Sequence, residues 1–190
     1  MTNRVKYGLK NVHAAVWDED SETYDTPFAI KGAVSMTVDP DGSSTNFAAD
    51  NNPKYAVLNV NSGYTGELEI AVLEDDARIA LLGEVQDDNG MLIEDASVSS
   101  FPSFALMFEI DGNVTAKRYC LYNVTCERPS LSANTTTEST DPDTDTLPFT
   151  AGSRELETTS GTVEVVKTAI DESQDAYETW YEAVTLPTVA

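Results

Sequence analysis

The chain has 190 residues, 41% of them apolar and 23% charged, with 33 acidic against 11 basic side chains and a formal net charge of -22. So acidic a surface repels nucleic-acid phosphates and offers no basic cluster to an anionic membrane. No stretch approaches the ~20 apolar residues of a membrane span, and the 8 Tyr, 6 Phe and 2 Trp exclude disorder throughout.

The length suits one domain over residues 1–190. An N-terminal arm over about residues 1–10 is expected, and its three basic residues, Arg4, Lys6 and Lys10, read as charges on a frayed end sooner than as a local anchor. A secretory leader is not expected, because residues 1–20 lack an apolar core and hold Asp18, Glu19 and Asp20. His13, the single histidine, alternates with Val12 and Ala14 in a predicted strand.

Period-2 patterns dominate the rest, and they predict strands. Val34, Met36 and Val38 alternate with small polar residues, and Tyr55–Val60 is a compact β-type run. Asp39–Gly66 as a whole, with Pro40-Asp-Gly and Asn61-Ser-Gly as turn signals, reads as a long loop over about residues 39–66. Glu74, Asp75 and Asp76 open a short helix through Ala77–Leu82 that stops at Gly83. Asp88-Asn-Gly marks the next turn. Phe104, Leu106, Phe108 and Ile110 then alternate with Ala105, Met107 and Glu109.

Tyr119–Cys126 continues the pattern, which puts Cys120 and Cys126 on one face about 20 Å apart at ~3.3 Å per residue. That is too far for a disulfide, so two reduced, buried thiols are expected. Asn113, Asn123 and Asn134 head glycosylation-like triplets that read as chance matches in a Thr-rich chain. Ser130–Asp145 is a second long loop, and Thr162–Val166 a further strand. Asp171 is placed as the N-cap of a second helix, with Tyr177, Trp180, Tyr181 and Val184 at helical spacing and Pro187 closing it, inside a C-terminal segment of about 171–190.

Catalytic chemistry is hard to find. One histidine excludes a two-His metal site, and the cysteines lack C-x-x-C spacing. No G-x-S-x-G, P-loop or G-x-G-x-x-G motif occurs. Asp141, Asp143 and Asp145 begin like a calcium loop, but Thr146 and Gly152 stand where Gly and Glu belong, so a solvated acidic loop is the reading. No catalytic, cofactor-binding or metal-binding residue is assigned, and no cofactor is expected. The architecture expected is mainly β, a β-sandwich or squashed barrel with a helix packed on it.

A resemblance runs over nearly the whole chain. It is carried by Tyr7-Gly-Leu-Lys-Asn-Val-His-Ala-Ala, Tyr24-Asp-Thr-Pro, Gly32-Ala-Val-Ser-Met and Phe47-Ala-Ala-Asp-Asn. Gly63-Tyr-Thr-Gly-Glu-Leu-Glu-Ile-Ala, Leu82-Gly-Glu and Phe104-Ala-Leu-Met-Phe-Glu-Ile-Asp-Gly follow. Arg118-Tyr-Cys-Leu-Tyr-Asn, Glu127-Arg-Pro-Ser and Thr144-Asp-Thr-Leu-Pro-Phe-Thr complete the series. In this order and spacing the sequence resembles the major tail proteins of long-tailed, non-contractile phages of Gram-positive bacteria. One departure is Tyr119, where that family carries His.

The resemblance implies a non-enzymatic virion protein with the tail tube fold, a flanking helix, a long inter-subunit loop and a C-terminal helix. Hexameric rings of it would be assembled in the host cytoplasm and stacked into a tube. Its implied partners are further copies of itself, a tape measure protein, and tail terminator and baseplate proteins. Genomic DNA would pass through without specific binding, and no membrane is involved. The loop over 39–66 is the candidate contact with the adjacent ring, with Phe47, Asp50, Tyr55 and Tyr64 as contact residues. Removing residues 42–50 is then expected to leave a folded subunit that forms no tubes. Alternatives are a tube in a phage-tail-like particle or gene transfer agent and, in a different class, an Ig-like adhesion or sugar-binding module. A glycosidase is the remotest of them.

Overall fold

The computed structural model describes residues 5–112, 116–135, 142–158 and 161–187. The fold is mainly β, as expected. Strands β1 (Lys6–Asp18), β2 (Thr23–Tyr24), β3 (Phe28–Ala29), β4 (Ala33–Ala49) and β5 (Asn52–Ile70) precede the helix α1 (Asp75–Leu82). After it come β6 (Val85–Gln86), β7 (Leu92–Ile93), β8 (Phe104–Gly112), β9 (Lys117–Cys126), β10 (Asp145–Gly152), β11 (Arg154–Thr158), β12 (Gly161–Val165) and β13 (Lys167–Asp171).

Nine strands form one antiparallel sheet with the path β2-β1-β8-β9-β10-β5-β4, β13 pairing with β9 and β3 with β1. The sheet curls until β1 and β4 come into contact. Leu106, Phe108, Leu121, Val124, Leu147 and Phe149 fill its inside, and Ala77, Leu81 and Leu82 of α1 join this core. The outer face carries a second core, Ala15, Ala105, Met107, Cys120 and Tyr122, covered by Leu156 of β11 and by Trp180. Central strand β8 is therefore apolar on both faces because both are buried.

Helix α1 follows its expected signals. Asp75 and Asp76 occupy the first turn, and Gly83 ends it at φ 66, a left-handed conformation that suits glycine. Arg78 donates two bonds to the buried Glu84 just beyond the helix, Nε–Oε2 2.9 Å and Nη2–Oε1 2.8 Å.

Several expectations are corrected. The long loop over 39–66 is instead the greater part of a β4–β5 hairpin paired from Ala33↔Ile70 to Ala49↔Asn52. Its two turn signals face each other within the ladder. The register passes from Asp41↔Gly63 to Gly42↔Asn61, which leaves Ser62 as the extra residue of a bulge. Gly63 has φ +113, and a Cβ there would overlap the Ala151 carbonyl oxygen. Pro40 is accommodated because β4 is an edge strand.

The expected C-terminal helix does not form over the described residues 171–187. Asp171 ends β13, and only Asp175–Tyr177 forms a single 3-10 turn. Tyr177, Trp180 and Tyr181 are still held inward, because Arg118 and the outer core grip them without a regular helix. Lys6–Lys10 of the expected arm are strand, paired with Gly112–Glu109.

Cys120 and Cys126 are both free and buried, as expected, but they lie in opposite cores rather than on one face. The cause is a bulge in β9. Phe104 pairs with Val124 and Leu106 with Leu121, so an extra residue resets the alternation. At that bulge β9 changes partner on its other edge, from β13 (Leu121–Lys117) to β10 (Cys126–Asn123).

Candidate functional site

The distal half of the β4–β5 hairpin is the surface most in need of explanation. Beyond Tyr64, β5 loses its second partner, since β10 pairs only with Tyr64–Ile70. Residues 42–61 therefore form a two-stranded ribbon, nine residues to the turn and roughly 30 Å long at ~3.3 Å per residue. Its turn is Asp50-Asn51, both at positive φ (50° and 60°), the signature of a two-residue I′ hairpin loop.

Every residue from 42 to 61 is exposed except the half-buried Ala49 and Ala56. Directly opposed residues share a face, so Phe47, Ala56, Leu58 and Val60 lie on one side of the ribbon and Tyr55 and Val57 on the other. Phe47, Tyr55, Val57, Leu58 and Val60 are each at least 50% exposed. The ribbon is also almost without charge. Asp50 and Lys54 are its only charged residues, in a chain with net charge -22.

Such a ribbon is poorly suited to stand alone. An isolated two-stranded hairpin is marginal in water. Exposed strand edges are usually blunted by charge or covered. Here neither device is present on the described residues, and a contiguous apolar patch of this kind marks an interaction surface.

Of the four candidate contact residues, three lie on the ribbon, Phe47 and Tyr55 on opposite faces and Asp50 at its turn. Tyr64 does not join them. It sits at the ribbon's base, half-buried against the inner core, with Lys167 Nζ 4.3 Å from its ring centroid. Val57, Leu58 and Val60 belong with the surface and were missing from the candidates. Their signal was the uncharged run Tyr55–Val60, which alone does not reveal that neither face is covered.

The groups considered for chemistry are otherwise engaged. The His13 ring stacks on Tyr181 with centroids 4.4 Å apart, and Nδ1 lies 3.0 Å from the Asn11 carbonyl oxygen. Asp143 accepts from the backbone N and Nδ2 of Asn134, both at 2.8 Å, and Asp145 accepts from the Leu73 N–H at 2.8 Å. Asp141 and Asn113 lie outside the described residues. Among the described residues no group of three His, Cys, Asp or Glu side chains converges as a metal site. No helix of the described residues is long and apolar enough to cross a membrane.

The buried carboxylate of Glu109 has a structural role. Lys10 Nζ (3.1 Å), Arg118 Nε (3.0 Å), Asn11 Nδ2 (3.0 Å) and the Tyr177 hydroxyl (3.3 Å) surround it. Burial pushes its pKa up, but the bonds from Asn11, Arg118 and Lys10 outweigh burial and hold it below the usual value. Arg118 in turn donates to the Tyr177 carbonyl oxygen and lies over the rings of Tyr177 and Tyr181. This network fastens the C-terminal segment to β8 and β9.

No protein-family model and no curated protein matches this chain.

Proposed function

We propose that this chain is a structural tube subunit whose copies close into hexameric rings and stack into a phage tail tube that conducts genomic DNA. The observation that carries the reading is the ribbon of residues 42–61, which exposes Phe47, Leu58 and Val60 on one face and Tyr55 and Val57 on the other and, among the described residues, is unpaired on both edges. A second copy is the simplest cover for it, because strand edges and apolar faces are then satisfied together. The sequence resemblance to major tail proteins supplies the hexameric ring, the stacking, and the tape measure, terminator and baseplate partners. The net charge of -22 suits a conduit, since a like-charged wall lets DNA slide without adhering.

Residues 42–50 are only one strand of the ribbon, so the test removes both strands, replacing 43–60 with Asn-Gly between Gly42 and Asn61. Negative-stain microscopy and light scattering then compare it with the full chain. Tubes or rings are expected from the full chain, and a folded monomer from the shortened one. Normal tubes from the shortened protein overturn the reading.

A further inference from the structure

Between β1 and β4 lies a groove of about 450 Å³, lined by Leu9, Met36, Val38, Phe108, Ile110 and Tyr119. Phe108 and Tyr119 are stacked there, centroids 5.3 Å apart. Among the described residues both flanking edges are unpaired at this level. β4 pairs only with β5, and β3 and β2 reach β1 only at His13–Ala14 and Trp17–Asp18. The groove is thus an apolar slot between two strand edges.

Charge distinguishes it from the rest of the surface. Among the described residues its charged lining is Lys6 and Lys167, with no carboxylate. Three other surface cavities each carry carboxylates: Asp39, Glu67 and Glu127 in one, Asp171 in another, and Glu22, Glu155 and Glu157 in the third. Both lysines are exposed, and neither makes an ion pair among the described residues.

Two copies of net charge -22 repel one another over most of their surfaces. Contact is favoured where carboxylates are absent from at least one side and apolar groups are present on both. The ribbon and the groove meet this condition. We infer that the groove of one copy receives the ribbon of the next, with Phe47 seated on its apolar lining and Asp50 at the turn facing Lys6 and Lys167. The inference rests on the tube reading, for which it names the receiving surface. The two surfaces differ, so the contact is head-to-tail and propagates from copy to copy instead of closing as a two-fold dimer.

The test places the photoreactive residue p-benzoylphenylalanine at position 47 in the full chain. Labelled and unlabelled subunits are mixed, assembled and irradiated, and the adducts are mapped by mass spectrometry. Intermolecular adducts within residues 36–38, 108–110 or 119 are expected. Adducts only elsewhere on tubes that still form overturn the groove assignment and leave the tube reading standing. A full chain that never assembles overturns both. A second arm uses the double variant Lys6→Glu, Lys167→Glu, both exposed, with circular dichroism checking that losing the Lys167–Tyr64 contact leaves the fold intact. It is expected to raise the concentration needed for assembly roughly tenfold, and Asp50→Lys in the same chain to recover most of that loss. Unchanged assembly by the double variant also overturns the assignment.

Discussion

Strands β8 and β9 are one antiparallel pair and the distal halves of β4 and β5 another; large apolar residues run through β8 and β9, and through Tyr55–Val60 of β5 with Phe47 opposite, the rest of distal β4 being Gly, Ser, Thr, Asn and Ala. One pair is buried on both faces and the other on neither. The difference lies in what the chain packs against them. Over β8 and β9, α1 joins the inner core, while β11 and the C-terminal segment close the outer one. Among the described residues the ribbon has no such cover. Large apolar residues left exposed on both faces favour cover on both, so the first pair forms a core and the second is the surface that we propose another copy covers.

That contrast is broken or upheld most sharply by a pair of aromatic truncations. Phe104 of β8 is 1% exposed and Phe47 of β4 is 55% exposed. Phe104→Ala is expected to cost about 3–5 kcal/mol through lost burial and the cavity left behind. Phe47→Ser is expected to change the stability of the monomer by less than about 0.5 kcal/mol. Chemical denaturation of the dispersed protein measures both. A large loss from Phe47→Ser would mean that the ribbon packs on its own chain.

Next in size is the polar clasp between the buried pair and the C-terminal segment. Glu109→Ala leaves Lys10 and Arg118 without their shared carboxylate and is expected to cost about 3 kcal/mol. The sign with pH follows from its depressed pKa. Its stabilisation is fully present above the unfolded carboxylate value of ~4.3 and is lost as pH falls through the lower folded value. The difference between the two proteins should therefore begin to shrink as pH falls below ~4.3 and vanish only once pH is below the lower folded value. A difference that persists undiminished at lower pH would show that the loss reflects packing and not the charge.

The comparison also explains what could be read from the sequence. Alternation at Phe104–Ile110, the acidic opening of α1 and its stop at Gly83 are local signals, and the fold follows them. The ribbon's composition was equally visible in Tyr55–Val60, but Pro40-Asp-Gly and Asn61-Ser-Gly suggested two turns. They oppose each other in one bulge, a cross-strand relation that neither segment displays alone. The faces of Cys120 and Cys126 depended on the β9 bulge, where the strand exchanges β13 for β10. The spacing of Tyr177, Trp180 and Tyr181 reads as a helix, but side-chain contacts to Arg118 and the outer core hold them without one, Trp180 buried and the two tyrosines half-buried. The groove was hidden because its lining residues come from strands far apart in the sequence.

Hydrogen exchange tests the two pairs without any substitution. Amides of β8 and β9 are expected to exchange only on global unfolding, whereas those of 42–61 exchange through local fraying in the monomer. On assembly the ribbon should gain protection of tenfold or more, on the order of the ~1.4 kcal/mol that one decade represents. Equal protection of both pairs in the monomer would remove the distinction between them.

The smallest expected effect concerns the turn. Asn51 holds φ 60°, which glycine adopts more easily, and Asp-Gly is a preferred I′ pair. Asn51→Gly is expected to stabilise the ribbon by a few tenths of a kcal/mol, at about the scale of other turn optimisations. Asn51→Val is expected to fray it, because a β-branched residue is strained at positive φ. Neither should move the melting temperature of the body if the ribbon opens as a separate unit. Both should move assembly, the glycine variant lowering the required concentration by preorganising the docking strand and the valine variant raising it. Equal shifts in melting temperature and assembly would instead make ribbon and body one cooperative unit.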